Sequence, residues 1–375
     1  LRHAWAQVLQ MDPNSISTTD HFFRIGGDSI SAILLVSKGQ QLGFRLTVPL
    51  IYQYPELGQL AHYAQRTCLN INETHQRQIL GEELNIRHIP LTQLDDLLPC
   101  IAVQGGLLAS LSKDPSSYLI QMAVTISGPL DSGRLIFAWN RVANQHAPLR
   151  TVFMESSAKQ SQGFVQAVLR SSLASWTITD IPLDSLNDFF ITNRRRGFNL
   201  HDQMIRNFVF PTADGLAHQV IVTIHHSLID GWSLPLLLQQ WKLAYHHPAM
   251  LVPAPLTGFS AVVDHVHKLD PIPAKAFWAD YLLDAPVTPA PLLSPNYVGS
   301  PGFATYSTQL EISRSVLKSF TQQLGITLAT LFQAAYAIVL GRLLDQDDVV
   351  FGVTVSGRNL DLPAMNEVLG PCTNT

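Results

Sequence analysis

Twelve consecutive residues hold the groups best suited to chemistry: Thr223-Ile224-His225-His226-Ser227-Leu228-Ile229-Asp230-Gly231-Trp232-Ser233-Leu234. Two adjacent histidines close an apolar, β-branched run, and an Asp-Gly pair follows. Side chains alternate faces along a strand, so His225 and His226 should point opposite ways, one into the fold and one into a cleft. An imidazole presented at a strand end suits general acid–base work near neutral pH. Asp230 can hold the loop by an ion pair or by accepting from backbone amides, and Gly231 permits a tight turn. The plainer reading is a buried structural histidine pair with a turn aspartate. A metal site is not expected, because no Cys or carboxylate stands at usual ligand spacing beside the pair.

A second group lies far upstream. In Phe22-Phe23-Arg24-Ile25-Gly26-Gly27-Asp28-Ser29-Ile30, two glycines precede an Asp-Ser pair. Ile30, Ile33, Leu34 and Leu35 then recur at helical spacing. Ser29 therefore falls at or beside a helix N-terminus, where free amide donors and the helix dipole favour an anion. A serine there suits attachment of a phosphodiester-linked arm. As a rival reading, Asp28 or Ser29 is only an N-cap.

Both groups resemble signatures of one protein class. The first resembles the His-His-x-x-x-Asp-Gly motif of nonribosomal peptide synthetase condensation domains, members of the chloramphenicol-acetyltransferase-like superfamily. Residues 1–66 resemble a peptidyl carrier domain, whose matching serine carries 4′-phosphopantetheine added by a separate phosphopantetheinyl transferase. The resemblance gives that role to Ser29. Further stretches agree in part. Leu98-Pro99-Cys100-Ile101-Ala102-Val103-Gln104-Gly105-Gly106-Leu107-Leu108 resembles the opening motif of fungal-type condensation domains, with Ala102-Val103 in place of a polar-Leu pair. Gln145-His146-Ala147-Pro148-Leu149-Arg150-Thr151-Val152-Phe153 resembles Arg-His-Glu-x-Leu-Arg-Thr-x-Phe, departing at Gln145 and Ala147. Arg150 reads as a buried anchor. Ser356-Gly357-Arg358 and Leu369-Gly370-Pro371-Cys372-Thr373-Asn374-Thr375 resemble the next family motif, where the sequence stops.

The bulk numbers agree. The 375 residues suffice for two or three domains. Hydrophobic content of 46% against 14% charged predicts large packed cores rather than long disorder. A formal charge of −4 supplies no basic field for a nucleic acid backbone. Cys68, Cys100 and Cys372 give neither a disulfide framework nor a zinc pattern. No apolar run is long enough to span a bilayer, and a cytoplasmic location is expected. Because Leu1 is not an initiator methionine, the chain reads as a segment of something larger, or as processed.

The expected fold is a small all-α four-helix carrier domain plus an α/β (α+β) chloramphenicol-acetyltransferase-like two-lobe domain with its second lobe incomplete. The expected division is 1–66 carrier, 67–88 linker, 89–285 N-terminal lobe and 286–375 the start of the C-terminal lobe. In the carrier, a helix carries Leu1, Trp5, Val8 and Leu9, Val48–Tyr54 is a connector, and Pro55–Arg66 is a last helix. Downstream, helices are predicted over Leu94–Leu111 (interrupted near Gly105-Gly106), Leu130–Gln145, Ser233–Ala244, Ile272–Leu283, Ser313–Leu324 and Thr327–Leu344. Strands are predicted over Tyr118–Ser127, Ile205–Phe210, His218–Ile224, Phe303–Glu311 and Val349–Val355. Pro248–Pro255 reads as a loop and Pro286–Pro301 as the crossing between lobes. Phe277, Trp278 and Tyr281 read as core. His246, His247, His265 and His267 read as solvated.

The resemblance implies amide formation between a donor acyl thioester and an acceptor aminoacyl thioester. His226 would be the cleft imidazole, either taking a proton from the attacking amine or positioning it. His225, Asp230 and Gly231 would support the site, with Arg358 an ion-pair partner for Asp230. The implied partners are aminoacyl or peptidyl thioesters, the transferase, and the adenylation and downstream carrier domains of the same synthetase. Nucleic acid, membrane and metal are not expected. Epimerisation domains share the histidine motif. They usually show Glu-Gly-His-Gly-Arg where this chain has Val355-Ser356-Gly357-Arg358-Asn359, and a Gly-Trp-Phe-Thr type motif where it has Gly370-Pro371-Cys372-Thr373. A terminal cyclising domain and a catalytically idle recruitment platform are further rivals.

Overall fold

The computed structural model describes all residues except 28–30, 33–34, 36–37, 40–41, 43, 47, 67–90, 157–162, 251, 253, 287, 289–306 and 325. Asp28 and Ser29, the 67–88 linker and most of Pro286–Pro301 therefore lie outside the described residues. The chain forms two compact units, Leu1–Leu269 with Val355–Asn374, and Asp270–Thr354 with Thr375.

The N-terminal region is built on α1 (Arg2–Leu9), α2 (Val48–Gln53) and α3 (Leu57–Tyr63), with helical residues Ser31, Ala32, Leu35, Lys38 and Gly39 between the first two. The expected connector Val48–Tyr54 is thus mostly helix α2, despite Val48 and Pro49. Pro at the second helical position costs little, since its missing N–H would be unbonded there anyway. Trp5 and Phe22 meet edge to face at 5.1 Å in a core with Leu35, Leu46, Ile51 and Leu60. Two-residue strands β1 (Phe44–Arg45) and β2 (Gln65–Arg66) pair antiparallel. The expected last helix accordingly ends at Tyr63.

The next elements form two sheets. One has the order β3-β6-β5, from β3 (Leu94–Pro99), β5 (Thr151–Glu155) and β6 (Phe164–Leu169). The other has the order β4-β9-β8-β7, from β4 (Leu119–Ser127), β7 (Ser175–Ile178), β8 (Ile205–Pro211) and β9 (Ala217–His225). The expected helix from Leu94 is corrected: Leu94–Pro99 pairs antiparallel with β6, and only α4 (Ala102–Leu111) is helical. Neither local spacing nor propensity reveals that pairing, because the partner lies about seventy residues away. The expected strands at 118–127, 205–210 and 218–224 form nearly as read.

The four-stranded sheet is covered on both faces. Val220, Val222 and Ile224 share one core with α5 (Ser132–Gln145) and α7 (Ser233–His246), through Leu135, Ala138, Trp139, Leu237 and Trp241. Trp139 and Trp241 stand 5.0 Å apart, edge to face, and Trp241 Nε1 donates to Leu135 O. On the other face, Ile221, Phe208 and Phe210 pack with Phe189 and Phe190 of α6 (Leu186–Arg195). Each such fully buried side chain contributes roughly 1.5–3 kcal/mol. Helix α8 (Phe259–Lys268) buries Phe259, Val262 and Val263 against Leu98, Val368 and Cys372.

The second unit contains α9 (Pro271–Tyr281), α10 (Arg314–Gln323) and α11 (Leu328–Leu344). Here two expectations fail. Phe277, Trp278 and Tyr281 are exposed, and among the described residues their rings contact one another. Val349–Val355 and the described part of Phe303–Glu311 form no strand; only Val355 is bridged, to Asn374. An apolar run makes a strand only when a neighbouring strand takes its backbone groups. Of the described residues in this unit, only Thr321 and Leu340 are buried. No described helix is long and apolar enough to cross a membrane.

Candidate functional site

Strand β9 delivers the histidine pair. His225 is its last residue and fully buried, while His226 is half-buried just beyond it. The alternation read from the sequence therefore holds. Two backbone bonds fix the pair: His225 N–H donates to Met204 O (3.1 Å) and His226 N–H to Tyr118 O (2.9 Å).

The His225 ring is a structural acceptor. Ser227 N–H donates to Nδ1 (3.2 Å), and Ser227 Oγ lies 2.7 Å from the same nitrogen. Nδ1 must then hold a lone pair, and the proton sits on Nε2. Burial, reinforced by the charge of His226, lowers the His225 pKa to about 3. His225 therefore stays neutral at physiological pH. The His226 ring accepts or donates no hydrogen bond among the described residues. Its Nδ1 is buried and unpartnered, which leaves Nε2 as the solvent-reachable nitrogen.

Asp230 lies far from simple turn duty. It is fully buried, and Arg358 Nη2 lies 2.9 Å from both of its carboxylate oxygens. Oδ1 also accepts from Ser233 N–H (2.8 Å) and Ser233 Oγ–H (2.7 Å), and Oδ2 from Cys372 N–H (3.0 Å). Arg358 Nη1 donates to Met365 O (3.0 Å) and Val368 O (2.7 Å). Its guanidinium also sits 5.7 Å from the Trp232 ring centre. The cluster joins the His-loop, the start of α7 and the 356–372 segment. That segment turns tightly at Gly357 (φ +63°), where a Cβ would stand 1.7 Å from Cys372 O. Burial pushes the Cys372 thiol up to about 11, so it is not a thiolate nucleophile.

Gly231 differs from its expected role. Its φ is not positive, and a Cβ there would meet nothing within 4 Å. A tight turn does not explain a glycine at this position; open space lies beside it.

Two residues with no role assigned from sequence complete the site. Gln104 and Gln166 are both about 1% exposed. Gln104 Nε2 donates to Ser227 O (3.1 Å) and to Gln166 Oε1 (2.8 Å), and its Oε1 accepts from Ile101 N–H (3.2 Å). Gln166 Nε2 donates in turn to Pro99 O (2.9 Å). The pair links the three-stranded sheet and the first turn of α4 to the carbonyl immediately after His226. Gln104 lies in the stretch that resembles a family motif, whereas Gln166 was marked only as an amide in an otherwise apolar run. Arg150 is buried as expected, donating to Ala143 O, Leu169 O and Asp95. His267 is half-buried with Nε2 unpartnered, so it is not simply solvated. Among the described residues no group of three His, Cys, Asp or Glu could hold a metal.

The site thus joins a half-buried imidazole at the end of a mixed sheet to a buried Asp–Arg clamp in an α/β fold. Comparison with known proteins gives the family. Residues 96–375 match the condensation domain family, and residues 1–64 match the phosphopantetheine attachment site. The whole chain is 29% identical over 395 residues to the nonribosomal peptide synthetase dtpA of Aspergillus flavus, of which it covers 14%. It is 27% identical over 385 residues to the cyclochlorotine synthetase of Talaromyces islandicus, covering 100% of this chain and 6% of that one. The condensation domain of the Monacolin K polyketide synthase MokA has a similar fold, with TM-score 0.58 and 16% identity over 75% of this chain and 67% of that one. So does the first condensation domain of the calcium-dependent antibiotic synthetase, in complex with a substrate analogue, with TM-score 0.55 and 18% identity over 75% and 68% of the two chains. The chain belongs to the condensation domain family, and it spans only a small part of the nonribosomal peptide synthetases it matches. Its attachment domain makes 4′-phosphopantetheine its covalent cofactor.

Gly26 has φ +106°, and a Cβ on Gly27 would stand 2.5 Å from the buried Phe22 ring. The chain is thus drawn tightly over Phe22 just before Asp28 and Ser29, and is helical again at Ser31 and Ala32.

Proposed function

We propose that this chain forms an amide between a donor acyl thioester and the amine of an acceptor aminoacyl thioester. The observation that carries the reading is the single open imidazole, His226, on a backbone clamped from three sides. We assign Ser29 as the attachment residue and His226 as the catalytic residue. His225, Asp230 and Arg358 are supporting residues, and residues 1–66, 67–88, 89–285 and 286–375 are carrier, linker and two lobe segments. A 4′-phosphopantetheine arm supplies a terminal thiol that holds an acyl group as a thioester.

His226 Nε2 is placed to accept a hydrogen bond, then a proton, from the attacking amine. Among the described residues no carboxylate pairs with the His226 ring, and Asp230 spends both oxygens on Arg358, Ser233 and Cys372. This supports orientation of the amine over strong base catalysis. A positioned acid–base group contributes about 10²–10⁴-fold, and tethering both reactants supplies much of the rest by raising effective molarity. Gln104 is a positioning residue: it holds the Ser227 carbonyl and so the direction in which His226 leaves β9. The open space beside Gly231 is read as room for a substrate arm. The remaining proposed partners are the phosphopantetheinyl transferase, an adenylation domain and a downstream carrier of the same synthetase, in the cytoplasm.

The test loads Ser29 with an aminoacyl-pantetheine and adds an acceptor aminoacyl carrier. Intact-protein mass spectrometry follows both. Dipeptide on the acceptor, lost in His226→Ala, is expected. Exchange of the α-proton with deuterated water without transfer would replace amide formation by epimerisation. Release of a cyclic product without transfer would indicate a cyclising domain. A loaded Ser29 that undergoes none of these would make the fold a recruitment platform.

A further inference from the structure

A cavity of about 430 Å³ opens between the C-terminal end of α6 and the start of β8. Its wall includes Arg206, Phe198, Arg196 and His201. Arg206 is only 6% exposed. Its guanidinium lies over the Phe198 ring, 4.2 Å from the centre, and Nη2 donates to Asn193 O at 3.2 Å. Nε is buried and makes no hydrogen bond. No carboxylate of the described residues lies in ion-pair range of Arg206. Asp202, on the same cavity, accepts instead from Asn199 Nδ2 at 3.0 Å.

This is an unusual state for a buried cation, since charges out of water are normally matched by an opposite charge. A face-on aromatic ring offsets part of the cost and no more. The surroundings add positive charge. Arg194, Arg195 and Arg196 follow one another at the end of α6, in a chain whose formal charge is −4. Burial together with the Arg196 charge lowers the Arg206 pKa to about 10, a sign that the two cations feel each other. Two guanidinium groups lining one cavity suit an oxyanion that offers oxygens in several directions, as a tetrahedral phosphate does.

We propose that this cavity is a binding site for a phosphate-type oxyanion, free or esterified, received by the buried Arg206 and the exposed Arg196. The site stands independently of the amide-forming reaction. Its two sources would be inorganic phosphate and a phosphate ester such as that of 4′-phosphopantetheine.

The test titrates the full chain at low ionic strength, by calorimetry, with inorganic phosphate, 4′-phosphopantetheine and pantetheine. Saturable binding of the phosphate probes in the millimolar range is expected, with pantetheine at least about tenfold weaker than its phosphate. Arg206→Gln should abolish binding. Arg196→Glu, at an exposed position that does not threaten the fold, should weaken it at least about tenfold. Phosphopantetheine binding tighter than inorganic phosphate would identify the ester as the source, and equal affinity would identify the free ion. No saturable phosphate binding overturns the proposal. So does equal binding of pantetheine and its phosphate, or unchanged binding by Arg196→Glu in a protein with unaltered circular dichroism.

Discussion

Two buried arginines of this chain live under opposite rules. Arg358, with a side chain 5% exposed, reaches both oxygens of Asp230 and gives Nη1 to two carbonyls, while its Nε, like that of Arg206, is buried without a partner. Arg206 has one carbonyl, one aromatic face and an idle Nε. The first is a closed clamp that fastens the 356–372 segment to the histidine loop. The second is a cation with unspent capacity on a cavity wall. Neither buried charge nor an idle Nε therefore separates scaffold from site; the presence of a matching carboxylate does.

The largest effect should come from opening the clamp. Asp230→Ala or Arg358→Met leaves its partner charged and buried, at a cost of about 3–5 kcal/mol. Urea unfolding should show this as a much lower midpoint, and a normal midpoint in a soluble Asp230→Ala protein would remove the structural assignment. Arg206→Met strands no carboxylate, so the same measurement should find a loss of only about 1–2 kcal/mol, from packing and the Phe198 contact. Equal losses at Arg206 and Arg358 would collapse the comparison.

A second contrast concerns rate. Gln104→Ala should lower kcat about 10- to 100-fold, since small misplacements near reacting groups are costly. Ser29 loading should be untouched. Gln104→Glu, which keeps the acceptor for Ile101 N–H but loses the donor to Ser227 O, should fail to rescue. Recovery by Glu would point to the helix cap rather than the Ser227 bond.

The third uses pH. The His225 pKa falls to about 3 in the folded state, so the unfolded chain binds a proton that the native one does not between about pH 6.5 and 3. Stability is therefore lost as pH falls through that window, at up to about 1.4 kcal/mol per unit for this group. Replacing it in His225→Gln should flatten the unfolding free energy between pH 7 and 5 relative to wild type. The smallest expected effect is Gly231→Ala, which should leave stability within about 0.5 kcal/mol, because nothing fills the space beside its Cα. A turnover loss without a melting change would support the substrate-arm reading.

Local signals carried the four-stranded sheet well. The alternation along β4 and the apolar, β-branched runs of β8 and β9, which are buried on both faces, are read without knowing the neighbours. The same logic failed at Leu94–Pro99, whose strand state depends on β6, and at Val349–Val355, whose apolar run has no partner strand among the described residues. Aromatic content misled at Phe277, Trp278 and Tyr281, because composition reports a preference for burial and not whether a neighbour is there.

The sequence by itself singled out the pair His225-His226, with one buried and the other half-buried, and Asp230 four residues on. These follow from backbone geometry over a few residues, which spacing encodes directly. The tertiary structure showed that the Asp230–Arg358 pair expected from the sequence is also tied to Ser233 and Cys372, which uses both carboxylate oxygens. It alone joined Gln104 to Ser227, and it alone left Arg206 uncompensated beside Arg196. Each of those depends on groups distant in the chain meeting at hydrogen-bond range, where burial raises the cost of any unmatched donor or charge.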